Sequence, residues 1–125
     1  MVERTSGVVM VVDDDEDWRE LVVQFLRDAG FEAVGASHGR EALARIRGGL
    51  APDLLVLDLE MPVMTGWELR RELLRDPALA GLPVLVASSA DPGPLAADPC
   101  LAKPYGGADL LRAIGALRTT TALAA

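Results

Sequence analysis

Two apolar runs in this chain each stop abruptly at aspartate. Val8-Val9-Met10-Val11-Val12 ends at Asp13-Asp14, and Leu54-Leu55-Val56-Leu57 ends at Asp58. Runs this short, uninterrupted and partly β-branched read as strands buried on both faces, which requires a sheet with helices packed on each side. Parallel sheets of that kind place their ligand sites outside the carboxyl ends of the strands. If the two strands are neighbours, three carboxylates converge on one crevice, where they repel one another and need a bound cation. A divalent-metal site is therefore the first expectation, from the residues alone.

The segments between such runs carry a helical period, so strands and helices alternate and an α/β fold with a parallel sheet is expected. After Asp13-Asp14, Trp18, Leu21, Val22, Phe25, Leu26 and Ala29 recur at helical spacing, with Leu21 and Phe25 on core positions and Gly30 as the cap. Phe31 to Ala36 reads as a second strand. Ser37 is the expected N-cap of a helix carrying Ala42, Leu43 and Ile46, which Gly48-Gly49 stops. Asp53 to Asp58 is the third strand, and Thr65 with Glu68 makes a capping box for a helix with Leu69, Leu73 and Leu74. Pro83 introduces a fourth strand, Val84 to Ser88. Pro92, Gly93, Pro94 and Pro99 then leave room for about one helical turn at most, so the fourth helix is expected to be truncated or replaced by a loop. Cys100 to Ala102 is a brief fifth strand, and Leu110, Leu111, Ile114 and Leu117 mark a closing helix. The expected division is an N-terminal tail over 1–7, one domain over 8–118 and a C-terminal tail over 119–125.

A net charge of −7 with no basic stripe argues against a nucleic-acid surface. No apolar run reaches the length of a membrane span, and Met1 to Gly7 lacks the apolar core of a signal peptide. A single cysteine, Cys100, makes no internal disulfide, so a reducing cytoplasm is the expected setting. Of the twelve basic residues only Lys103 is lysine, at the end of a short apolar segment. Its compact ammonium suits a point contact to one phosphate or carboxylate oxygen. Asp15, Glu16 and Asp17 suit the N-terminus of the first helix, where negative charge is favourable. His38 has no second ligand at metal spacing and reads as an exposed helix-start residue. Cys100 reads as a small buried hydrophobe, and Trp18 and Trp67 as packing for helix ends.

Asp13-Asp14, Asp58, Ser88 and Lys103 follow strands one, three, four and five in that order. Asp58-Leu59-Glu60-Met61-Pro62, then Met64-Thr65-Gly66, and Lys103-Pro104-Tyr105 complete the pattern. Together they resemble the receiver domain of two-component response regulators, the CheY-like family, over roughly Val8 to Leu117. The resemblance implies a five-stranded parallel sheet in a flavodoxin-like, doubly wound (βα)5 fold. It implies that Asp58 accepts a phosphoryl group from a sensor histidine kinase, a phosphotransfer protein or a small phosphodonor. Mg2+ would sit on Asp14, Asp58 and the main-chain carbonyl of Glu60, with Asp13 acting through water. Lys103 and Ser88 would each contact a phosphoryl oxygen. Such a domain catalyses its own phosphorylation and dephosphorylation without being a conventional enzyme, and its state controls binding to a downstream protein as a monomer or weak homodimer.

The pattern departs from the family at Cys100, where relatives carry an aromatic residue three positions before the lysine. Two other readings compete. A haloacid-dehalogenase-type phosphohydrolase also uses a strand-end aspartate, but wants a second one where this chain has Glu60. An adaptor working without phosphorylation would need none of Asp58, Lys103 and Ser88.

Overall fold

The alternation of strands and helices is carried through in the computed structural model of the chain, which describes residues 7–89, 91, 93 and 98–124. Strands β1 (Val8–Val12), β2 (Glu32–Ala36), β3 (Leu54–Leu57), β4 (Val84–Ser88) and β5 (Cys100–Ala102) form one sheet of order β2-β1-β3-β4-β5. All four pairings are parallel. Helices α1 (Glu16–Asp28), α2 (Gly39–Arg47), α3 (Gly66–Arg75) and α4 (Gly107–Ala124) cover it. The two aspartate-ended strands are direct neighbours, with Val12 level with Leu57. From β1 the chain winds outward to β2, then crosses back to β3, and this reversal opens a crevice at their carboxyl ends.

The uninterrupted apolar runs are explained by two cores. Side chains alternate across the sheet, so Met10, Val12, Leu55 and Leu57 face Leu43, Ile46, Leu69 and Leu73 of α2 and α3. Val9, Val11, Leu54 and Val56 face Val22 and Leu26 of α1 and Leu110 and Ile114 of α4. Fully burying one such side chain contributes about 1.5–3 kcal/mol, so both faces of β1 and β3 are strongly constrained and their register cannot slip. No described helix is long and apolar enough to cross a membrane.

The helix starts follow their caps. Asp15 accepts a hydrogen bond from the Trp18 N–H at 3.1 Å, and Glu16 and Asp17 occupy the first turn of α1. The capping box of α3 is complete, with the Glu68 N–H donating to Thr65 Oγ1 and the Thr65 N–H to Glu68 Oε1. At α2 the cap is His38 rather than Ser37, its Nδ1 accepting from the Glu41 N–H at 3.2 Å. Ser37 instead donates its N–H and hydroxyl to Glu41 Oε1, both at 2.7 Å. Gly30 lies just beyond α1 at φ 102°, a conformation that favours glycine.

Three further side chains or segments depart from expectation. Leu21 is 62% exposed, because α1 turns Val22, Val23 and Leu26 onto the sheet. Cys100 is exposed rather than buried, since β5 is a short edge strand; its Sγ donates to the Asp98 carbonyl at 3.1 Å. The closing helix continues through residues 119–124, a stretch without proline or glycine to stop it. Four helices among the described residues agree with a truncated fourth crossover. Of the 90–99 segment, 90, 92 and 94–97 lie outside the described residues, as do 1–6 of the N-terminal tail.

Candidate functional site

Asp13, Asp58, Ser88 and Lys103 are each fixed by a main-chain hydrogen bond at the end of their strands. The Asp13 N–H donates to the Ala36 carbonyl at 3.0 Å, the Asp58 N–H to Val12 at 2.9 Å and the Lys103 N–H to Ser88 at 3.2 Å. The sheet thus sets the spacing of the side chains before any of them interacts. Asp13, Asp58 and Ser88 are the buried polar or charged residues among those described, at 3%, 6% and 5% exposure. Asp14 is exposed. One carboxylate oxygen from each of Asp13, Asp14 and Asp58 lies within 4.8 Å of the others. Three hard oxygen donors at that separation suit a small divalent cation.

Lys103 enters this cluster from the end of β5. Its Nζ is 2.6 Å from Asp13 Oδ2 and 3.8 Å from Asp58 Oδ2. Asp13 is held at its other atoms too: Oδ1 accepts from the Asp15 N–H at 2.9 Å, and its carbonyl from Arg19 Nη1 at 2.9 Å. Burial pushes the Asp58 carboxyl above its ordinary value. The Lys103 ammonium opposes that shift, Asp13 adds to it, and hydrogen bonds from Ser88 and the Leu59 N–H favour the charged form. A carboxylate with one cation beside it is a group that can serve as a nucleophile.

The loop after β3 brings α3 close to the site. A Cβ on Gly66 would fall on the Asp58 carbonyl oxygen and 2.7 Å from the Leu59 Cα, so only glycine fits. The Gly66 N–H donates to the Leu59 carbonyl at 2.9 Å. Glu60 lies two residues past Asp58 and is exposed. Beside the cluster, Tyr105 stacks edge-on against Trp18 with ring centroids 5.2 Å apart, and the indole N–H donates to its hydroxyl at 3.3 Å. Lys103-Pro104 is a cis peptide. Sequence reasoning found Asp13, Asp14, Asp58, Ser88 and Lys103, which converge on one edge of the sheet. It missed Arg19, whose only signal was a basic residue inside the turn that follows the acidic run.

Residues 9–115 match the response regulator receiver domain family. A response regulator receiver protein of Anaeromyxobacter sp. (strain Fw109-5) is 43% identical over 83 residues, 66% of this chain and 34% of its own. The protein-glutamate methylesterase/protein-glutamine glutaminase of Desulfotalea psychrophila is 42% identical over 85 residues, 66% of this chain and 23% of its own. The chain thus spans about a third or less of these curated relatives. Among solved structures, the Vibrio cholerae chemotaxis protein CheY4 superposes with a TM-score of 0.81 at 29% identity, covering 90% of this chain and 99% of that one. The signal receiver domain of a signal transduction histidine kinase from Syntrophus aciditrophicus gives 0.82 at 28% identity, covering 92% of each. With its strand order, its carboxylate cluster and a family match that leaves out only the chain ends, this chain belongs to the response regulator receiver domains of two-component systems.

Proposed function

We propose that Asp58 is the phosphoacceptor of a Mg2+-dependent phosphorelay step, and that its phosphorylation state controls binding to a partner protein. The observation that carries this reading is the grouping of the Asp13, Asp14 and Asp58 oxygens within 4.8 Å, with the Lys103 ammonium beside them. Asp14, Asp58 and the main-chain carbonyl of Glu60 would hold Mg2+, with Asp13 acting through water. Bound there, the ion would neutralise charge on the phosphoryl oxygens.

The remaining work falls to the chain. A carboxylate oxygen of Asp58 attacks phosphorus of a phosphohistidine or small phosphodonor, the bond to the donor breaks, and an acyl phosphate forms. Because phosphoryl transfer is governed by positioning and charge, the neighbours orient and neutralise rather than react. Lys103 exchanges its contact with Asp13 for one with a phosphoryl oxygen. Ser88, already on Asp58, donates to another. The donor is a sensor histidine kinase or phosphotransfer protein of the cytoplasm, and the output is a protein target rather than nucleic acid.

Phosphate-affinity gel mobility tests this. After a small phosphodonor and Mg2+, the parent chain is retarded, whereas Asp58→Asn and an EDTA-treated parent are not. Equal retardation of parent and Asp58→Asn would refute the assignment of Asp58.

A further inference from the structure

We infer that Arg19 is a positioning residue for the metal-binding carboxylates, acting through the peptide that joins Asp13 to Asp14. This rests on the Mg2+-dependent reading of the site. Arg19 lies one turn into α1, among the acids Asp13, Asp14, Asp15, Glu16 and Asp17. Among the described residues it pairs with none of their carboxylates. Its Nη1 donates to the Asp13 main-chain carbonyl at 2.9 Å.

Reaching that carbonyl constrains a second position. The Arg19 stem crosses β2 at Gly35, where a Cβ would come within 3.0 Å of Arg19 Cδ and 3.2 Å of Cγ. Glycine inside a strand weakens it and marks a close approach by another group. Here that group is the arginine stem. Two positions therefore serve one guanidinium-to-carbonyl hydrogen bond.

The consequence falls on Asp14. Asp13 is fixed by its N–H to Ala36, by Asp15 on Oδ1 and by Lys103 on Oδ2. Asp14 is exposed, and no such partner is described for its carboxylate. The main chain from which that carboxylate departs is set by the plane of the Asp13–Asp14 peptide, and Arg19 holds that plane by its oxygen. Groups that orient metal ligands from behind alter metal affinity when removed, without touching the ion.

The sign of the effect separates positioning from plain electrostatics. A guanidinium near a cation site repels the cation, so removing its charge alone would tighten Mg2+ binding. Loss of positioning weakens it. The test is an amide NMR titration of the parent chain, Arg19→Met, Arg19→Lys, Gly35→Ala and Leu73→Ala with MgCl2. Arg19→Met keeps the stem over Gly35 and should weaken Mg2+ binding about tenfold. Arg19→Lys keeps a donor and should stay close to the parent. Gly35→Ala crowds the stem with the charge retained and should also weaken binding. Leu73→Ala, a buried α3 change in the core on the opposite face of the sheet from Arg19, should lower thermal stability and leave Mg2+ affinity unchanged. Unchanged or tighter binding in Arg19→Met, or equal weakening in Leu73→Ala, overturns the inference while the phosphoacceptor reading stands. A parent chain whose amides do not respond to Mg2+ overturns both.

Discussion

At the scale of single residues, the fold tolerates an awkward carboxylate. Asp58 is buried and its carboxyl sits above its ordinary value, mainly through desolvation. A group raised in this way contributes stability below its ordinary pKa and loses it as pH rises through the folded value. Charged Asp58 therefore weakens the metal-free fold at neutral pH. Asp58→Asn is expected to be more stable than the parent in urea unfolding at pH 7 with EDTA present, and the gap should close as pH falls below about 4. An Asn variant of equal or lower stability at neutral pH would contradict this. Gly66 carries the opposite constraint, since any side chain there collides with the main chain of Asp58 and Leu59. Gly66→Ala should cost about 1–3 kcal/mol, read as a lower urea midpoint, and should slow phosphorylation by displacing Asp58. Asp13, Asp14, Asp58, Ser88 and Lys103 were legible because each ends an apolar run. Val63 was not: it is exposed, with φ 69°, in a tight turn where the Met64 N–H donates to the Pro62 carbonyl at 2.7 Å. A β-branched residue carries no sequence signal for that conformation.

At the scale of elements, the contact between α1 and the loop before α4 is the distinctive feature. Trp18 and Tyr105 meet edge to face, and a Cβ on Gly107 at the start of α4 would come within 2.6 Å of the Phe25 ring, so the loop and the first residue of α4 lie close on α1. Burial pushes the Tyr105 hydroxyl up to about 12. Tyr105 is the single tyrosine of the chain, so its titration is read without overlap. Tyrosinate absorbance should stay flat through about pH 10 while native circular dichroism persists, then appear near the ordinary pKa once the chain is unfolded in denaturant. A native-state midpoint at the ordinary value would mean that the loop does not pack as described. Central strands were legible because burial on both faces leaves an unbroken apolar run. The face of α1 was not, because Trp18, Leu21 and Phe25 share the helical period of the true core positions and only the neighbours decide which stripe meets the sheet. The exposed Cys100 has the same cause: a three-residue edge strand reads like a buried one until its missing neighbour is known. The choice of His38 over Ser37 as a cap turned on Glu41, which took both Ser37 donors.

At the scale of the whole molecule, the sheet is an alignment device. Parallel pairing in the order β2-β1-β3-β4-β5 brings acids, a hydroxyl and an ammonium from separate parts of the chain to one edge. Two independent cores, one on each face, hold that edge still. The central claim is that the acyl phosphate forms on Asp58 itself. Borohydride reduction of the chain after treatment with a small phosphodonor and Mg2+, followed by peptide mass mapping, tests it most directly. Reduction of an aspartyl phosphate leaves homoserine, and the account predicts homoserine at position 58 alone, absent when EDTA replaces Mg2+. Homoserine at Asp13 or Asp14, or none anywhere under conditions that phosphorylate a known receiver, would contradict it.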